Sequence, residues 1–84
     1  MKTYATVIPI WEGDTLAYVQ AASEKDAAAR RGEIELENDP TTAGCFENGI
    51  EIDVSDAETE DEPSHFRVYT TAEPVFHAER TDDQ

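Results

Sequence analysis

Eighty-four residues carry 20 Asp and Glu against 6 Lys and Arg, a formal charge of −14, with 38% hydrophobic residues and one cysteine. That length allows a single small domain, and no apolar run approaches the roughly 20 residues a membrane helix needs. Cys45 alone excludes an internal disulfide framework and multi-cysteine zinc sites, and Met1-Lys2 leads into β-type residues rather than a secretory h-region, so a reducing, cytoplasmic setting is expected.

From the N-terminus, Lys2 to Trp11 is rich in Tyr, Thr, Val and Ile, and Thr15 to Ala21 repeats that chemistry after Glu12-Gly13-Asp14, which predicts a β-hairpin. Pro9 has no N–H to give to a ladder, so the first strand is expected at a sheet edge or with a bulge. Ser23-Glu24-Lys25-Asp26 has the form of a capping box with Asp in place of Glu, and Ala27, Ala28 and Ala29 are strong helix formers. Arg30, Arg31 and Gly32 suit a helix end, so a short helix over about residues 24–31 is predicted.

Glu33-Ile34-Glu35-Leu36-Glu37 then alternates with period two, which predicts a strand with three carboxylates on one face, ended by Asn38-Asp39-Pro40. A loop through Thr41, Thr42, Ala43, Gly44 and Cys45 leads to Phe46, and Asn48-Gly49 signals a turn into a second alternating strand, Ile50-Glu51-Ile52-Asp53-Val54. Residues 55–64 are too polar to pack and read as a mobile acidic loop. His65 to Thr71 and Val75 to Ala78 read as two closing strands around Ala72-Glu73-Pro74, before a polar tail at 79–84. The predicted order β-β-α-β-β-β-β is an α+β domain over residues 1–78, a mostly antiparallel sheet with one short helix. Its expected core is Ile8, Ile10, Leu16, Val19, Ile34, Leu36, Ile50, Ile52, Val54, Phe66 and Val68.

Charge is unevenly placed along the chain. Residues 1–22 hold Lys2 against Glu12 and Asp14, and residues 23–32 are nearly balanced. Residues 33–62 hold twelve acids and no base. Such a balance repels nucleic acid and anionic membrane and points to a basic partner; self-association as a homodimer, or salt, also bears on the repulsion.

Catalytic and cofactor motifs are missing. The four glycines are too scattered for a phosphate loop. Ser23, Ser55 and Ser64 coexist with His65 and His77 but not in a nucleophile elbow, and Cys45 with these histidines has no close ligand pair. The acids after Asp53 do not reproduce a calcium loop, which needs Gly at its sixth place. No enzyme activity, cofactor or metal is expected.

What remains is an acidic face formed by Glu33, Glu35, Glu37, Glu51 and Asp53, backed by Asp56, Glu58, Glu60, Asp61 and Glu62 in the loop. Along a strand, alternate carboxylates recur roughly every 6.6 Å, a row of negative charge comparable to that of duplex DNA. In size, charge and these alternating strands the chain resembles small acidic DNA-mimic inhibitors of the phage anti-defence type, the anti-CRISPR and anti-restriction proteins; it lacks the Glu-Ser-Ile run of the uracil-DNA glycosylase inhibitor. The resemblance implies a non-enzymatic inhibitor of a nucleic-acid-binding host protein, a CRISPR effector or nuclease, acting in the cytoplasm of an infected cell. Two rivals stand beside it: an ordinary domain adapted to molar salt, whose acids should cover every face, and an antitoxin or chaperone-like subunit whose acidic loop wraps a basic partner. Trp11, Tyr18 and Tyr69 are the candidate aromatic anchors.

Overall fold

The computed structural model describes residues 1–59, 61–72 and 75–81. Lys2–Val7 forms β1 and Ala17–Ala21 forms β2, paired antiparallel from Lys2↔Ala21 to Thr6↔Ala17. This is the predicted hairpin, trimmed at its turn. Pro9 does not set an edge: β1 ends at Val7 and lies inside the sheet between β2 and its other neighbour, so the missing N–H falls in the connection and no ladder bond is lost. Thr15 staples that connection. Its Oγ1 accepts from the Ile8 N–H at 2.9 Å and donates to the Ile8 carbonyl at 3.2 Å. Ile8 is thereby buried, while Ile10 and Leu16, both expected in the core, face solvent, because the alternation of β1 stops before the first and β2 starts after the second.

Ser23 caps α1 as expected, its Oγ accepting from the Asp26 N–H at 3.2 Å. The helix does not stop at Gly32. It runs from Glu24 to Asn38 and takes in the whole segment expected as a strand. The physical reason lies in packing: Gly32 is buried mid-helix, where a Cβ would sit 2.8 Å from Phe76 Cδ2 and 3.2 Å from Val68 Cγ1. Its missing side chain serves close approach to the sheet rather than a left-handed cap. The boundary at Asn38-Asp39-Pro40 does hold, because the residue before a proline is pushed out of the helical region; Asp39 has φ −148° and ψ 95°.

Asp39 then caps a 3₁₀ turn, Pro40–Thr42, and α2 follows over Ala43–Asn48, where a loop was expected. Gly49 closes it with φ +92°, a conformation that suits glycine. β3 (Ile50–Asp56), β4 (Ser64–Ala72) and β5 (Val75–Arg80) complete an antiparallel sheet in the order β2-β1-β3-β4-β5. The class is α+β as predicted, with two helices and five strands in place of one and six. The register shifts between Thr70 and Ala72 where β4 meets β5, beside the predicted turn residues Glu73 and Pro74, which lie outside the described residues, as do Asp82 and Asp83 of the predicted tail.

Both helices lie on one face of the sheet. α1 touches both edge strands, β2 and β5, so the sheet curls around it. Small residues Ala27, Ala28 and Gly32 let it sit close, and Phe46 of α2 meets Phe76 edge to face, with ring centres 5.2 Å apart. The core beneath comprises Tyr4, Ile8, Val19, Ile50, Ile52, Val54, Phe66 and Val68, with Ile34 and Leu36 packed partly buried against it. The other face of the sheet has no covering layer among the described residues.

Candidate functional site

The carboxylates expected to form one row are divided between the two layers. Glu33, Glu35 and Glu37 ride on α1, where 3.6 residues make a turn, so Glu33 and Glu37 share a side and Glu35 points elsewhere. This corrects the strand face. Arg30 Nη1 donates to Glu33 Oε1 at 2.8 Å and lies 3.9 Å from Glu37 Oε2, and the Glu33 contact holds the guanidinium more firmly protonated than usual.

Glu35 has a structural task. Arg31 crosses the interior with only 4% of its side chain exposed, donating from Nε to Glu35 Oε2 at 2.8 Å and from Nη1 to Thr6 O at 3.0 Å and Thr6 Oγ1 at 2.9 Å. Thr6 Oγ1 in turn donates to the Ala17 carbonyl at 2.9 Å. One guanidinium thus ties α1 to β1 and, through Thr6, to β2. The sequence carried no signal for this, since an arginine near a presumed helix end reads as a surface residue.

Glu51 and Asp53 do alternate on β3 as predicted, and both face the open side of the sheet. Glu51 stands opposite Arg67, and Asp53 opposite His65, whose Nδ1 is 2.6 Å from Asp53 Oδ1. Beyond them β4 and β5 carry a short stack: Arg67 over the Tyr69 ring at 4.8 Å, and Tyr69 against His77 at 5.3 Å. The Tyr69 hydroxyl donates to Glu79 Oε2 at 3.0 Å, which raises its pKa because ionisation would break that bond beside a carboxylate. Of the candidate anchors, Tyr18 is exposed, Tyr69 belongs to this stack, and Trp11 packs partly buried against the core.

Asp56 closes β3, and the turn beyond it holds Glu58, Asp61 and Glu62; Glu60 lies outside the described residues. The Asp56 carboxylate is paired with the Lys2 ammonium, and its Oδ1 accepts from the Glu58 N–H at 2.8 Å, so its pKa is held below the ordinary aspartate value and that of Lys2 is raised. At the opposite end of β3, the connection from α1 contributes Asp39 and Glu47, two exposed acids of the base-free run that the alternation rule passed over. Neither has an ion-pair partner among the described residues, and the Thr41 hydroxyl and N–H hold the Asp39 carboxylate below its usual pKa.

Cys45 sits exposed on α2, next to the start of β3, whereas His65 pairs with Asp53 toward its end. Among the described residues no three His, Cys, Asp or Glu side chains stand close enough to hold a metal ion. Nor, among them, is any helix long and apolar enough to cross a membrane. Comparison with known proteins adds no relative: no protein-family model, curated protein or solved structure matches the chain.

Proposed function

We propose that this chain is a non-enzymatic binding protein that occupies the basic, nucleic-acid-binding surface of a host protein such as a CRISPR effector or nuclease. The observation that carries the proposal is the concentration of carboxylates on and around β3: Glu51 and Asp53 on its outward face and Glu58, Asp61 and Glu62 in the segment after it, with Asp39 and Glu47 exposed in the helical connection before it. Seven residues at roughly 3.3 Å each span about 20 Å, a length over which a DNA-binding groove presents several Lys and Arg side chains. An excess of carboxylates over the cations beside them, Arg67 opposite Glu51 and Lys2 on Asp56, steers a basic partner and forms charge-assisted hydrogen bonds on contact. Glu33 and Glu37, which share Arg30, and Glu35, bound to Arg31, move out of the contact set.

The test is displacement of labelled duplex from a nucleic-acid-binding protein recovered from a host lysate on the immobilised chain. Wild type should displace it. A variant with Glu51→Gln, Glu58→Gln, Asp61→Asn and Glu62→Gln should not, and Glu33→Gln with Glu37→Gln should act like wild type. Displacement unaffected by the first set would overturn the proposal.

A second reading is favoured by a different observation. Exposed acids occur on the helical side (Asp26, Glu37), on the open sheet face (Glu51, Glu79) and at both ends of the sheet (Glu12 and Asp14; Glu58 and Glu62), as expected of a domain adapted to molar salt. Circular dichroism separates the two: a salt-adapted domain loses its sheet signal near about 0.1 M salt and regains it in molar KCl, whereas a charge mimic stays folded in both.

A further inference from the structure

We infer that the free edge of β2 is a self-association seam, on which a second copy of this chain adds its own β2 antiparallel across a two-fold axis. Among the described residues β2 pairs with β1 alone, which leaves its outer N–H and C=O groups without a strand partner there. Proteins guard such edges with charge, proline or bulges. The other edge strand follows that rule: β5 carries Glu79 and Arg80, and its register shifts at Thr70/Ala72. Ala17-Tyr18-Val19-Gln20-Ala21 has no charge, no proline and no irregularity, in a chain of which 31% is charged.

Exposed apolar side chains belong to the same hairpin and its two ends. Among the described residues, Met1, Ile10, Leu16 and Tyr18 are four of the five large hydrophobics left in solvent, with Ile10 and Tyr18 both 65% exposed. All four belong to the segment 1–22, whose charges are only Lys2, Glu12 and Asp14. The choice of partner follows from electrostatics. A basic partner is drawn to the carboxylates concentrated in residues 33–62, while two copies of an acid-rich chain repel less through this near-neutral segment than through those residues.

Pairing centred on Val19 sets Ala17 opposite Ala21 of the second copy and Tyr18 opposite its Gln20. Tyr18 and Gln20 lie on the open face of the sheet, opposite Ala5 and Thr3, so each tyrosine ring covers the glutamine stem across the seam. The isologous contact joins two five-stranded sheets into one. Short strands make a small contact, so the dimer belongs to the weak, concentration-dependent class and strengthens as salt screens the acidic bodies.

Sedimentation equilibrium tests this on the wild-type chain and three variants at the exposed positions 18 and 20, each first checked for a wild-type circular dichroism spectrum. Wild type should show a dimer fraction that rises with protein concentration and with salt. Tyr18→Glu with Gln20→Glu, and equally Tyr18→Lys with Gln20→Lys, set like charges across the seam and should be monomeric. Tyr18→Lys with Gln20→Glu sets opposite charges there and should keep the dimer. A wild type that stays monomeric at about 1 mM in molar salt overturns the proposal, since that concentration reveals even weak association. So does a double-lysine variant that dimerises as well as wild type, because net charge rather than the seam would then govern. Neither result depends on whether the carboxylates around β3 bind a basic partner.

Discussion

Replacing Arg31 with methionine separates the structural acids from the solvated ones. Methionine keeps much of the apolar stem but removes three donated hydrogen bonds, to Glu35 Oε2, Thr6 O and Thr6 Oγ1. Breaking a fully buried ion pair by deleting one partner costs about 3–5 kcal/mol. Glu35, however, has 19% of its side chain exposed and can turn toward water, which lowers its share. The Thr6 carbonyl loses its arginine donor in the interior, a loss of about 1–3 kcal/mol. Together these give a destabilisation of about 2–4 kcal/mol, which in a domain of this size lowers Tm by about 8 °C or more, taking roughly 4–8 °C per kcal/mol.

The assay is thermal and urea unfolding of wild type, Arg31→Met, Glu35→Gln and the double variant. Because the two side chains share a bond, their effects should be non-additive, with the double variant close to Arg31→Met alone. Glu33→Gln, which breaks only the exposed contact with Arg30, should leave Tm unchanged within error. Equal Tm shifts for Arg31→Met and Glu33→Gln would refute the assignment of Arg31 as a cross-layer tie.

Three further outcomes are expected. Gly32→Ala gains up to about 1 kcal/mol of helix propensity but drives a methyl against Phe76, whose ring is held by Phe46, so a net loss of about 1 kcal/mol is expected by urea unfolding, reversing to a gain in a Phe76→Leu background. Ser23→Ala removes the bond to the Asp26 N–H and should cost about 1 kcal/mol, with Ser23→Asp neutral by the same measurement. Asp56 binds its proton less readily folded than unfolded, so its contribution is present above the unfolded pKa of about 3.9 and is lost as pH falls through the lower folded value. The stability advantage of wild type over Lys2→Met at pH 6 should therefore shrink steadily below about pH 4 in an acid unfolding series.

Much of this architecture is written locally. The capping serine, the hairpin around Glu12-Gly13-Asp14, the alternation of Ile50, Ile52 and Val54 and the stop before Pro40 each rest on interactions within a few residues, and each is found where the chain alone puts it. The failures share one cause. Glu33 to Glu37 alternate like a strand, yet Ile34 and Leu36 can both rest against the core from a helix because that helix lies in a curled sheet. Gly32 reads as a helix terminator until Phe76, far along the chain, is known to fill the space above it. Arg31 reads as a surface cation until the Thr6 carbonyl is known to lie beneath it. Tertiary neighbours override the local signal in all three cases. The acidic run was visible as a run; its division between helix and strand was not.

The place of β1 in the sheet bears on how the chain assembles. β3, β4 and β5 form a meander whose pairings close over short spans, and β1 with β2 is another local hairpin. The joint between these halves, Tyr4 against Asp56 and Thr6 against Val54, links residues separated by more than half the chain. Contacts of that span are the slow ones, because loop closure must be met before they contribute. A nascent chain thus presents its first hairpin long before the partner for its inner edge exists, and the packing of α1 on that hairpin, with the buried Arg31 bridge to Thr6, is what can hold it in place until β3 arrives. Loss of that bridge should slow refolding as well as weaken the folded state, linking the stability of the domain to the order in which its parts meet.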